Sequence, residues 1–239
     1  MEEEIKTPKS KGGSTTKLII IIIILLAIAF GGWYGIKKAD APTDTDTVLS
    51  GDPTDVIATV NGGEILRAEF DKLLNVQKAV IGEPQDDEQR LALQNQVLDI
   101  IISQTLLLQK ANEAGLSITD DEVDAQITQV KAQFPDEDTF LAALTEQDFT
   151  QESLAQSIKK DLLIQGYITS QVDLESVEVS EEEIKADYDL AITKQDNLPD
   201  LETLSGPIKA QLLQQKQQQL VIGLIDKLKG ESDIQTFLE

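Results

Sequence analysis

Cysteine and histidine are both missing from the 239 residues. Their absence excludes disulfides, thiol nucleophiles, imidazole bases and the Cys/His ligand sets of ordinary zinc sites. Aromatic residues make up only 4%, which argues against a sandwich of aromatic-rich strands and suits a helical protein. No G-x-S-x-G elbow, Walker loop or dinucleotide fingerprint occurs anywhere in the chain. Cations are scarce too: 20 Lys and Arg stand against 43 Asp and Glu, a net charge of −23. The charge is also uneven. Beyond Lys38 the count is 14 basic residues against 40 acidic ones, or −26. Such a surface repels nucleic acid. It reads first as a solvated acidic shell that favours solubility, and only secondly as a surface suited to basic or unfolded polypeptides.

Carboxylates cluster at Asp120/Asp121, Asp136/Asp138 and Glu181/Glu182/Glu183. Each group sits at or just before a helix start, where exposed N–H groups and the helix dipole favour negative charge. They therefore read as helix-start signals, not paired catalytic acids. Asp40, Asp44 and Asp46 lack the spacing, glycine and terminal Glu of a calcium loop. No catalytic residue, cofactor or metal is expected.

What the chain has in abundance is aliphatic sequence. Leu18 to Ile36 is an apolar run of 19 residues with six consecutive isoleucines, close to the ~20 needed to span a bilayer. Leu18, Ile24 and Phe30 mark its length, and Trp33 and Tyr34 stand at its distal end, where amphipathic rings favour the headgroup layer. Ala39-Asp40-Ala41 resembles a signal-peptide cleavage site. However, the run exceeds a typical h-region, Lys37 and Lys38 intervene, and Pro42 would follow the cut. An uncleaved anchor is the expectation. Four lysines precede it and two follow, which places the N-terminus in the cytoplasm and the body outside. Four segments result: a cytoplasmic tail over 1–17, an anchor over 18–36, a linker over 37–55 and a folded body over 56–239. The linker core, ADAPTDTDTVLSGDPTD, has no periodic apolar face.

The body reads as a series of helices with one short β element. Val56 to Val60 is a β-type run, closed by the turn dipeptide Asn61-Gly62. A helix with Phe70, Leu73, Leu74 and Ile81 follows. Eight of the twelve residues from Val97 to Leu108 are large aliphatics, too apolar for a helix with one wet face. Gly115 ends that helix as its C′ residue. Thr119 with Glu122, and again Ser180 with Glu183, form capping boxes that open new helices. Between them come a break at Phe134-Pro135, a short helix over 138–146, and a helix capped by Thr150 that runs to about Val172. A last helix spans about 202–229, with Leu204, Ile208, Leu212, Lys216, Leu220, Leu224 and Leu228 along one stripe and Gly230 as its expected C′ residue. The glutamine-rich stretch 211–219 reads as its wet face. Residues 234–238 read as a last strand.

The segments "VIATVNGGEILRAEF", "VLDIIISQTLLLQKANEAGLSITDDEVDAQI" and "VEVSEEEIKADYDLA" resemble the N-terminal domain of SurA-type chaperones, a frame shared with the PpiD and PrsA foldases. The resemblance implies a mainly α, SurA N-domain-like chaperone frame with a short β element, here preceded by one transmembrane helix. In that family a parvulin prolyl-isomerase domain is commonly inserted before the returning C-terminal helix. Only nine residues separate Tyr188 from Leu198, so no parvulin core fits there.

The resemblance therefore implies a membrane-anchored chaperone of the holdase type at a bacterial cell membrane, bound through one helix. Its partners would be unfolded or newly exported polypeptides and the lipid bilayer, not nucleic acid. A prolyl isomerase and a structural adaptor for one envelope partner are the alternatives. Val123, Ile127, Val130 and Phe134 are the candidate client-groove residues, with helix core as their default role.

Overall fold

The computed structural model describes residues 51–146, 149–193 and 198–238. The tail 1–17, the apolar run with Leu18, Ile24, Phe30, Trp33 and Tyr34, and most of the linker lie outside the described residues.

Strand β1, Val56–Val60, meets β2, Gly63–Leu66, in an antiparallel hairpin with Val60 opposite Gly63. Asn61 (φ 50°) and Gly62 (φ 79°) form its two-residue turn. Positive φ at both positions is what the twist of a tight hairpin demands, and Asn-Gly supplies it at least cost. Sequence periodicity gave only the first strand, because GEIL is too short to show alternation.

Helix α1 spans Arg67–Ile81, α2 spans Asp87–Glu113, α3 spans Asp120–Lys131, and α4 spans Glu137–Glu146. Helix α5 follows over Gln151–Gln171, α6 over Glu181–Ile192 and α7 over Leu201–Gly230. The chain then returns to the sheet as β3, Ile234–Thr236, antiparallel to β1, giving the order β2-β1-β3. The first and last described strands thus lie side by side, the pairing that the resemblance to the SurA-type frame implies, although β3 ends at Thr236 and does not reach Leu238.

Helix α2 is the axis of the fold. Of the eight large aliphatics from Val97 to Leu108, Val97, Leu98, Ile101, Ile102, Leu106 and Leu107 are buried, and Ile100 and Leu108 are half-buried. It packs against α1, α5, α7 and β1, which buries most of its aliphatics and leaves Asn95, Gln96, Asp99 and Gln104 as exposed polar positions. Its C-terminus is a Schellman motif: Gly115 at φ 71° donates to Asn112, and the Leu116 N–H donates to Ala111. It is long and apolar enough to cross a membrane by composition, but it is the central helix of this core.

The buried side chains fall into three clusters. The central one joins the sheet, α1, α2, the C-terminal half of α5 and the end of α7. A second joins Val123 of α3, Phe140 and Leu144 of α4, and Leu154 and Ile158 of α5. A third joins Val179, Ile184 of α6 and Ile208 of α7. Helices α5 and α7 each run between two clusters. Burying one such side chain contributes about 1.5–3 kcal/mol, so each cluster carries its own share of the stability.

The returning helix departs from expectation at two positions. Gly230 is its last helical residue and not its C′ residue; it lacks a positive φ, and Glu231 caps in αR by donating to Lys227 and Leu228. The chain turns into β3 without a left-handed step, so glycine's freedom is not needed there. Leu220 is 44% exposed, because the stripe passes from the third cluster to the central one across a polar middle.

Candidate functional site

Three features of the frame bear on function: a polar crossing under α7, a half-buried stripe on α3, and scattered open apolar side chains.

The crossing is built by Lys216 and Gln217, in the glutamine-rich middle of α7. Lys216 Nζ donates to the Glu178 carbonyl at 2.8 Å and pairs with Glu183 at 2.6 Å. Gln217 Nε2 donates to the Leu174 carbonyl at 2.9 Å. Glu183 already closes the α6 capping box with Ser180. The Lys216 bond, then the Ser180 N–H, hold its carboxyl below the usual range. One lysine therefore ties α7 to the start of α6 and to the connecting loop. Lys216 falls on the apolar stripe of α7, and a charge at that apolar position is the one sequence signal of its role.

Near the sheet, Lys229 pairs with Asp99 of α2 at 2.5 Å. Asn61 Nδ2 donates to Gln109 (3.0 Å) and Ser232 (3.3 Å), while its Oδ1 accepts from the Asp233 N–H at 3.0 Å. The hairpin turn, α2 and the returning chain are joined at one residue.

The sequence-derived groove candidates lie together on the second cluster. Val123 is buried, whereas Ile127, Val130 and Phe134 pack on the cluster but stay half-exposed. Phe134 meets the Phe140 ring edge-on at 5.5 Å. The Thr119–Glu122 box opens this helix, and the Thr119 N–H holds the Glu122 carboxyl below its usual range. Asp136 is lowered in the same way, by the Thr139 hydroxyl and then its N–H.

Two charged residues escaped the sequence reading. Asp161 lies on α5 between Ile158 and Ile164, where the second and central clusters meet. Desolvation pushes its carboxyl up to about 6, against the opposing pull of Lys160. Arg67 opens α1 with Nε and Nη1 buried and without hydrogen-bond partners; Nε is 3.7 Å from Asp55. The guanidinium lies so close over Gly51 that any Cβ there would collide with it.

Large apolar side chains also stay open: Ile81 at 63%, Leu91 at 58%, Leu190 at 54% and Ile222 at 55%. They stand on α1, α2, α6 and α7. Among the described residues no set of three carboxylates is placed to hold a metal. Helices α6 and α7 are joined by residues 193–200 alone, so no folded domain is inserted between them.

Known proteins resemble this frame. A 132-residue stretch is 27% identical to chaperone SurA of Pseudomonas syringae pv. tomato, covering 54% of this chain and 31% of that one. An 81-residue stretch is 37% identical to chaperone SurA of Hydrogenovibrio crunogenus, covering 33% and 18%. Foldase protein PrsA of Clostridium acetobutylicum is 30% identical over 148 residues, covering 56% and 44%. The chain thus spans about a third of the length of the first of these relatives. Among solved structures, one reported for PEB4 and the periplasmic protein Cj1289, two structurally related SurA-like chaperones of Campylobacter jejuni, shares the fold. Its TM-score is 0.50 at 14% identity, over 76% of this chain and 98% of that one. The SurA-like N-terminal domain model matches residues 9–168, from before the apolar run to within α5. The chain belongs to the SurA-like N-terminal domain family.

Proposed function

We propose that this chain is a membrane-anchored extracytoplasmic chaperone that holds unfolded or newly exported polypeptides without chemical turnover. The observation that carries the reading is the state of its apolar surface. Ile127, Val130 and Phe134 remain half-exposed, and Ile81, Leu91, Leu190 and Ile222 remain open, on an acidic frame of SurA-like type. Reversible burial of a client's apolar surface needs such side chains, and the −26 body supports solubility of the complex.

Leu18–Ile36 anchors the body, with Leu18, Ile24 and Phe30 in the hydrocarbon and Trp33 and Tyr34 at the outer interface. Residues 1–17 are cytoplasmic, 37–55 form the linker and 56–239 the chaperone domain. The short connection 193–200 leaves no room for a parvulin core between α6 and α7, which supports binding without prolyl isomerisation.

The test is aggregation of a denatured client diluted into buffer with the full chain in neutral detergent micelles, against empty micelles. Suppression that rises with chain concentration supports the reading. Equal aggregation at a molar excess of chain sinks it. A proline-limited refolding reaction accelerated at catalytic concentration would restore the isomerase alternative.

A further inference from the structure

We propose, resting on the chaperone reading above, that the lobe formed by α3, α4 and the start of α5 docks extended segments combining large apolar side chains with Lys or Arg. The apolar part is the stripe Ile127, Val130 and Phe134. These side chains reach the second cluster, yet none is closed off from solvent. The charged part is carried by the same stretch of chain. Residues 117–153 contain ten acidic residues and one basic, Lys131. That lysine is already occupied: it pairs with Glu137 at 3.1 Å and stands 5.3 Å over the Phe140 ring. Asp120, Asp121 and Asp124 of α3 face no cation among the described residues.

The two features select together. An apolar segment with acidic flanks gains burial on the stripe but meets like charge around it. A basic segment without apolar residues gains only screened surface attraction. A segment with both gains both. A second copy of this chain is disfavoured as occupant, because it would bring the same acidic lobe against this one. Helix α7 lies outside the lobe and carries four lysines against two carboxylates, so the acidity is not spread evenly over the frame.

The test measures fluorescence anisotropy of labelled peptides with the full chain in neutral micelles. One peptide alternates Lys with Leu and Phe. A second carries Glu for each Lys, and a third carries Ser for each Leu and Phe. The first is expected to bind about tenfold more tightly than either other at about 50 mM salt, and the margin over the Glu peptide to shrink to about threefold at 500 mM. D120N/D121N/D124N is expected to shrink it similarly at low salt, and Val130→Ser to weaken the first peptide while leaving its salt dependence intact. If the triple variant does not fold, the salt series on the parent decides. Equal binding of Lys and Glu peptides overturns the proposal, as does a margin untouched by salt or by the triple variant. A chain lacking residues 1–17 that binds the Lys peptide far more tightly also overturns it, identifying that lysine-bearing segment as occupant. Failure of all three peptides while aggregation is still suppressed overturns this site alone; loss of both overturns the chaperone reading as well.

Discussion

Phe140→Ala tests whether the lobe under the α3 stripe is held by its own core. The ring has no exposed surface and sits among Val123, Leu144, Leu154 and Ile158. Truncating a buried Phe to Ala costs about 3–5 kcal/mol, because the lost transfer energy adds to the cavity left behind. The edge-on contact with Phe134 supplies about 0.5–1.5 kcal/mol of the ring's worth. The Lys131 ammonium over the ring face adds about 0.5 kcal/mol, since that lysine is partly solvated. About 4 kcal/mol is therefore expected, against roughly 1–1.5 kcal/mol for Phe140→Leu, which keeps most of the volume.

Hydrogen exchange separates this from a general loss. The second cluster shares no buried residue with the central one. Local opening then falls on α3, α4 and the first turns of α5, where protection should drop about a thousandfold, since each 1.4 kcal/mol is tenfold. The segment Val97–Leu108 of α2 should keep its protection. Equal loss in α2 and α3 would show that the clusters open as one unit. Unchanged protection in α3 would show that the ring is not what holds the lobe. Either result refutes the reasoning.

Other perturbations give separate readouts. Asp161 has a raised carboxyl pKa of about 6, so its ionisation opposes folding: its protonated form adds stability below the ordinary carboxylate range, and that stability is lost as pH rises through about 6. Asp161→Asn should raise urea stability by about 1–2 kcal/mol at pH 7.5, the residue's partial exposure taking up the rest of the shift, and change little at pH 4. Equal gain at both pH values would exclude titration as the cause. Gly115→Ala forces an L side chain into φ 71° and should cost about 1–2 kcal/mol, read as a lower midpoint in urea. Lys216→Met should raise exchange at 174–180 several-fold while α2 stays protected, because it removes the bonds to Glu178 and Glu183. No change there would show that Gln217 alone holds the crossing.

The helical frame was legible wherever the signal was local. The boxes Thr119–Glu122 and Ser180–Glu183 form as their spacing implies, and Gly115 takes the left-handed position. The density of aliphatics in α2 reported its central, mostly buried place, although Asn95, Gln96, Asp99 and Gln104 stay exposed. The pairing of β3 with β1 followed from resemblance, since three residues carry no periodicity of their own. What sequence could not give was set by partners distant in the chain. Leu220 and Leu228 have the same stripe position, yet one is 44% exposed and the other 4%, because only the second reaches the central cluster. Asp161 had no sequence signal beyond a carboxylate between Ile158 and Ile164; its raised pKa depends on the elements packed over it.

Helix α7 connects these observations. A stripe with an unbroken apolar face would fuse the third and central clusters into one core. Instead, its middle is glutamine-rich, carries Lys216, and is bonded to Leu174, Glu178 and Glu183. Polar bonds at a part-exposed surface exchange with water at small net cost, whereas an apolar seam would separate only with loss of buried area. The middle of α7 is thus tied to α6 and to the loop before it by directional bonds, between the apolar contacts of the third and central clusters. Substituting Leu at Lys216 and Gln217 together removes the bonds to Glu178, Glu183 and Leu174, so exchange at 174–180 should exceed even that of Lys216→Met. Exchange slower than the parent's in that variant would mean that an apolar seam, and not the polar bonds, sets the strength of the crossing.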